Sequence, residues 1–200
     1  MNFLYLKSVS STQLYLIDLV KKKNLTNLCI YTYNQTDGIG SRGNSWVGKS
    51  GNLFFSFVVD KDEFSFVPIQ SLSIYFGYLF KNTLNELGSN VVLKWPNDLY
   101  LDKKVAGVIT NIVKDKIVCG IGVNSKYEVN ENFSKLDIDI KNDKILHYFF
   151  DKVLFKPNWD EVIKSYKKEF YLLKDRFNIK GDLNMDGSLT YNNERIYSKR

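Results

Sequence analysis

Two segments of this sequence carry residue types that can do chemistry together. One is a glycine-rich loop, Gln35-Thr-Asp-Gly-Ile-Gly-Ser-Arg-Gly-Asn-Ser-Trp46; the other is Lys94-Trp-Pro-Asn-Asp-Leu99, followed closely by Lys104-Val-Ala-Gly107. Gly38, Gly40, Gly43, Gly48 and Gly51 crowd the first. Glycine takes positive φ without a Cβ clash, so successive N–H groups can converge on one anion. Arg42 adds a planar fork able to grip phosphate or carboxylate. In the second segment Pro96 fixes φ and removes a donor, which holds Asn97 and Asp98 in a stiff turn where they can be aimed into a cleft. Lys94 and Lys104 flank that turn as mobile point charges, and Ala106-Gly107 leaves room for a ligand against the backbone. Together the two segments predict activation of a carboxylate by ATP.

Gly43-Asn-Ser-Trp-Val-Gly-Lys-Ser50 also fits the P-loop pattern G-x-x-x-x-G-K-[ST]. A P-loop needs a helix opening at its Lys-Ser, so that the helix N-terminus faces the phosphates. The next residues in this chain, Gly51-Asn-Leu-Phe-Phe-Ser-Phe-Val-Val59, are aromatic and β-branched and read as a strand. The match is therefore taken as accidental.

The elements that must position these segments follow from periodicity. Ser10-Ser-Thr12 reads as the N-cap of a helix running to about Lys23. The apolar runs Leu28 to Tyr33 and Leu53 to Val59 read as strands on either side of the glycine loop. Pro68 opens a long helix ended by Gly88. Val91 to Trp95, Leu99 to Leu101, Val105 to Val113 and Ile117 to Val123 read as further strands, with a hairpin turned at Asp102-Lys103. Two helices follow, near Asp143 to Phe155 and Trp159 to Phe177, and a small hairpin closes the chain around Asp186-Gly187 and Asn192-Asn193. The expected fold class is α+β: a mixed, largely antiparallel sheet with helices packed on it and a short C-terminal β appendage. The expected division is a catalytic domain over 1–178 and the appendage over 179–200.

At 200 residues and 44% hydrophobic, the chain can fill one core but not two ordinary domains. No apolar run approaches the roughly 18 residues of a membrane span, and the N-terminus lacks the pattern of a signal peptide, so a soluble, cytoplasmic protein is expected. Cys29 and Cys119 have no metal-ligand spacing and read as buried thiols. His147, the one histidine, argues against histidine triads and multi-histidine metal sites. The net charge of +6 permits a basic nucleic-acid-binding module, but that alternative leaves the polar loop unexplained.

The motifs as a set resemble the biotin protein ligases. The resemblance runs through Ser11-Thr12, Gln35, Gly38-x-Gly40-x-Arg42-Gly43-x-x-Trp46, Gly51-Asn-Leu53 with Ser56, Lys94-Trp-Pro-Asn-Asp-Leu99, Lys104-x-Ala-Gly107 and Gly120-Ile-Gly-Val-Asn124, in the family's order. It implies two half-reactions: biotin and ATP give biotinyl-5′-AMP and pyrophosphate, and a lysine of the biotin carboxyl carrier protein or domain then takes the biotinyl group. On that resemblance Ser11, Thr12, Gln35, Gly38, Gly40, Trp46, Lys104 and Gly107 would bind biotin. Arg42, Gly43, Trp46, Lys94, Asn97 and Asn124 would bind ATP and the adenylate, with Mg²⁺ carried on the phosphates and no protein-only metal site. Lys104 and Asp98 would be catalytic, Lys104 drawing carboxylate and α-phosphate together and Asp98 orienting or deprotonating the incoming lysine.

The sequence also departs from the family pattern. Ile39, Ser41 and Asn44 stand where arginines are usual, Gln13 stands where Asn is common, and one residue is missing between Asp98 and Lys104. Ten residues before Ser11 cannot supply a helix-turn-helix, so a monofunctional form without DNA binding is expected, as a monomer or weak homodimer and with no membrane partner. Within the same fold, the alternative is a lipoate or octanoate ligase or transferase.

Overall fold

The computed structural model describes residues 1–198, the side chain of Arg42 excepted. Lys199 and Arg200 lie outside the described residues. The chain opens with β1 (Asn2–Tyr5), α1 (Thr12–Lys22) and β2 (Leu28–Thr32). The glycine loop follows as a miniature hairpin of β3 (Gly38–Ile39) and β4 (Ser45–Trp46), closed by a 3-10 turn over Ser41–Gly43. Next come β5 (Leu53–Asp60), α2 (Leu72–Glu86), β6 (Val92–Lys94), β7 (Asp98–Tyr100), β8 (Lys104–Val113) and β9 (Lys116–Val123). Helices α3 (Asn142–Phe155) and α4 (Trp159–Leu173) precede the short strands β10 (Asp182–Leu183), β11 (Leu189–Tyr191) and β12 (Glu194–Ile196).

Seven strands form one sheet in the order β1-β2-β5-β9-β8-β7-β6. Its pairs are antiparallel except β1 with β2, which run parallel and are joined through α1. Sequence reading did not anticipate β1: its residues are exposed throughout, so no apolar alternation marks it as a strand.

Strand alternation sorts the central side chains onto two faces. Phe55, Phe57 and Val59 of β5 and Ile117, Cys119 and Ile121 of β9 enter the main core, where α2, α3 and α4 pack. On the other face Val58 and Val118 meet Leu16 and Val20 of α1. Further along that second face β9 presents Gly120 and Gly122 and β5 presents Ser56, with Phe54 the one bulky side chain beside them. The sheet is therefore covered by α1 at one end and left thin at the other, which opens a cleft.

The C-terminal strands form a three-stranded sheet, one strand more than the expected hairpin. It is tied down by Trp95 Nε1 donating to Gly187 O and Trp159 Nε1 donating to Met185 O, both at 2.9 Å, while Leu183 and Leu189 join the main core. Cys29 and Cys119 are buried and unpaired, and burial pushes both thiols well above their ordinary range. Among the described residues no helix is long and apolar enough to cross a membrane.

Candidate active site

Ser11 caps α1: its extended backbone precedes the helix, and its hydroxyl accepts from Leu14 N at 3.3 Å. That cap fixes where Thr12 and Gln13 enter the cleft. Thr12 donates to Gln35 Oε1 from its backbone N at 2.9 Å and from its hydroxyl at 3.1 Å, and Ser56 Oγ donates to Thr12 Oγ1 at 2.9 Å. A buried hydrogen-bonded chain therefore runs from β5 through the start of α1 to the strand-like segment around Gln35.

The floor beyond this polar end is bare backbone. Gly107 of β8 stands directly opposite Gly122 of β9, and the Trp46 indole lies over both. An added Cβ at Gly107 would sit 2.9 Å from Trp46 Cζ3, and one at Gly122 would sit 2.6 Å from Trp46 Nε1. At the far end Lys104 Nζ lies 2.7 Å from Asp98 Oδ1 and 5.2 Å from the Trp46 ring. Asp98 pairs in register with Gly107 because the β6–β7 turn ends one strand short of the cleft. Asn97 is almost buried; it donates from Nδ2 to Val108 O at 2.7 Å, locking the turn to β8.

These residues line one cleft. It continues past Gly40, Ser41 and Asn97 into a neighbouring hollow lined by Gly43, Ile109, Thr110 and Asn111. Thus Ser11, Thr12, Gln35, Gly40, Trp46, Asn97, Asp98, Lys104 and Gly107 are brought together, with Gly43 on the adjoining hollow. Gly38 lies behind them, where a Cβ would collide with Gln35 Nε2 at 2.4 Å, so its part is to admit Gln35. The Arg42 side chain lies outside the described residues.

Two of the expected residues lie apart from the cleft lining. Lys94 does not line the cleft; its ammonium rests over the rings of Tyr100 and Phe177, at 5.0 Å and 5.4 Å, within reach of cation–π attraction. Asn124 is fully buried, accepting from Asn52 Nδ2 at 3.3 Å and donating to Ser134 O at 3.1 Å. It pins the loop behind Lys104, since Ser134 N donates to Lys104 O and Asn124 N to Val105 O. An asparagine ending an apolar strand satisfies backbone groups as readily as it binds a ligand.

Sequence reasoning missed Val108 and Ile109, whose apolar types give no signal of ligand contact, and it noted Gln13 only as a departure. Among the described residues no group of three or more His, Cys, Asp or Glu side chains converges as a metal site. Lys49 and Ser50 are exposed and lead into β5, with no helix at that point.

The site can hold a molecule with a polar head at the Ser11–Thr12–Gln35 end and an anion at Lys104, laid along glycine backbone beneath an indole. A family model, the biotin/lipoate A/B protein ligase family, matches residues 5–124, and those residues contain both ends. The chain belongs to this family. Within it, the chain is 34% identical over 131 residues to the bifunctional ligase/repressor BirA of Salmonella typhimurium, covering 62% of this chain and 40% of that protein. It thus spans less than half the length of that relative. The solved structure of biotin acetyl coenzyme A carboxylase synthetase from Helicobacter pylori, with bound biotinylated ATP, superimposes with a TM-score of 0.86 at 36% identity, over 98% of this chain and 99% of that one. Biotin protein ligase from Aquifex aeolicus, in complex with biotin and ATP, gives a TM-score of 0.70 at 25% identity over 98% and 94% of the two chains.

Proposed function

We propose that this member of the family is an ATP-dependent biotin protein ligase, acting in the cytoplasm on the carrier domain of a biotin-dependent carboxylase. One observation carries the reading: a hydrogen-bonding end at Thr12 and Gln35 and a cationic end at Lys104 share one cleft over a glycine floor. An octanoyl chain or a dithiolane has no polar head for the first end, whereas biotin has a cyclic urea there and a carboxylate at the other. The binding partners named for the Helicobacter and Aquifex structures agree with it.

In the first half-reaction Lys104 draws the biotin carboxylate and the α-phosphate of ATP together. A carboxylate oxygen attacks the α-phosphorus and the bond to the leaving pyrophosphate breaks, while the ammonium offsets the crowding of negative charge. In the second, the amine of the acceptor lysine attacks the acyl carbon, AMP leaves, and Asp98 takes the amine proton. Asp98 is suited to this because its ion pair with Lys104 keeps the carboxylate at the reacting centre. Arg42 and the N–H groups around Gly43 would face the adenylate phosphate. Mg²⁺, which the family implies, finds no cage of carboxylates in the described residues and would ride on the phosphates; no residue here is assigned to it.

Incorporation of labelled biotin into a purified carrier domain, dependent on ATP, tests the proposal. Equal or better incorporation of lipoate or octanoate would replace it with the other activity of the fold.

A further inference from the structure

The stretch from 125 to 135 forms no helix or strand, yet it is held in one shape. Its two ends are joined by Leu136 N, which donates to Asn124 O at 2.8 Å. Between those ends it touches the site twice. Ser134 N donates to Lys104 O at 3.0 Å, and the half-buried Phe133 ring meets the Trp46 indole edge-on, with centroids 6.2 Å apart. The loop therefore braces both the cationic end of the cleft and its indole wall.

The brace is fixed by a residue that touches neither Lys104 nor Trp46 through its side-chain hydrogen bonds. Asn52, fully buried just before β5, commits both ends of its amide to this loop. Its Oδ1 accepts from Lys126 N at 3.0 Å and Tyr127 N at 2.9 Å, and its Nδ2 donates to Tyr127 O at 2.8 Å and to Asn124 Oδ1 at 3.3 Å. Only this orientation of the amide works, because a backbone N–H can only donate and a backbone carbonyl can only accept. The Asn124 amide is oriented in turn: Oδ1 faces Asn52, and Nδ2 donates to Ser134 O at 3.1 Å. An unbroken series of bonds thus runs from Asn52 through Asn124 and Ser134 to the backbone of Lys104. Beside it, an added Cβ on Gly51 would lie 2.5 Å from the Tyr127 ring, so the first leg of the loop seats on bare backbone.

We propose that Asn52 is a positioning residue for adenylate formation, its amide setting the loop that keeps Lys104 and Trp46 in alignment. This rests on the biotin ligase reading of the cleft. The side-chain bonds of Asn52 all go to residues 124–127 and none to the Thr12–Gln35 end. Losing them leaves the head-group end intact and disturbs the end where carboxylate and α-phosphate must meet. Alignment there governs rate more than affinity, since a shift of about 1 Å caused by a change remote from the chemistry can cost about 10²-fold.

The test compares Asn52→Leu, which keeps the shape and removes both ends of the amide, with the wild type. Calorimetry gives biotin affinity, pyrophosphate release at saturating biotin and ATP gives the rate, and amide hydrogen exchange read by mass spectrometry gives the state of the loop. Biotin affinity should stay within about threefold of the wild type, while pyrophosphate release slows by about tenfold to 10²-fold. Exchange should quicken over 125–136 and stay unchanged in β5 and β9. A merely structural role would instead quicken exchange throughout the sheet and lower affinity and rate together. That result, or pyrophosphate release at the wild-type rate, overturns the proposal. Should Asn52→Leu not fold, as judged by circular dichroism, Asn52→Ser keeps one acceptor and drops the bond to Asn124. It should slow release several-fold with biotin affinity retained, and an unchanged rate overturns the proposal equally. A wild type that releases no pyrophosphate with biotin and ATP would instead remove the biotin reading on which the proposal rests.

Discussion

Gly122 and Gly107 face one another across β9 and β8, and the Trp46 indole occupies the space that two Cβ atoms would need. Neither glycine adopts positive φ, so the requirement is for close approach and not for backbone freedom. Gly122→Ala should therefore fold, displace the indole and weaken biotin binding by at least tenfold, or about 1.4 kcal/mol. Calorimetric titration beside a thermal melt separates the two effects: an unchanged affinity with the melt intact would show that the indole does not form the ligand's wall.

Lys104→Ala should lower adenylate formation by about 10² to 10³, the usual effect of losing one preorganised charge at a reacting centre. Because Asp98 bonds to Lys104 at 2.7 Å, Asp98→Asn should act differently, slowing transfer to the carrier more than adenylation. Pyrophosphate release and single-turnover biotin transfer, measured on both variants, read the two steps apart. Normal pyrophosphate release by Lys104→Ala would exclude Lys104 from the mechanism.

Joint replacement of Lys49 and Ser50 by alanine should change ATP affinity by well under tenfold, because the pair is exposed and precedes a strand. A loss of several hundredfold in an ATP titration would restore the P-loop reading.

Acid stability should depend on the far end of the sheet. A hydrogen bond from Lys116, and then one from Thr26 Oγ1 at 2.9 Å, hold the Asp60 carboxyl below its usual range. The same bond holds the Lys116 ammonium above its usual range. A depressed folded carboxyl stabilises the protein above its unfolded pKa, about 3.9, and that contribution is lost as pH falls through the lower folded value. Asp60→Asn should therefore lower the urea midpoint at pH 7 and match the wild type more closely at pH 3. An equal deficit at both values would show that the carboxylate charge is not what stabilises this corner.

Much of the cleft was legible because its chemistry depends on residue types with few other uses. The glycine crowding, the Ser-Thr cap and Lys104 each announced a local backbone or charge requirement, and the cleft gathers them. The placing of Lys94 and Asn124 was not legible, because a lysine or an asparagine at a strand end serves packing and backbone satisfaction as readily as ligand contact. The direction of the side chain is set by neighbours distant in sequence: Phe177 for Lys94, and Asn52 with Ser134 for Asn124.

By itself the sequence determined the helices, the central strands and the family motifs, since periodicity of 2 or 3.6 and turn chemistry are local properties. Only the tertiary structure decided which strand faces would meet. Bringing β5, β8 and β9 side by side set Ser56, Gly107, Gly120 and Gly122 on one surface, and α1 laid Gln13 across it. The same assembly fixed the Gln13 amide through Val118 and left Oε1 buried against Gly120 with no partner among the described residues. An unsatisfied acceptor is a property of the groups around it, and those groups come together only when the chain is folded.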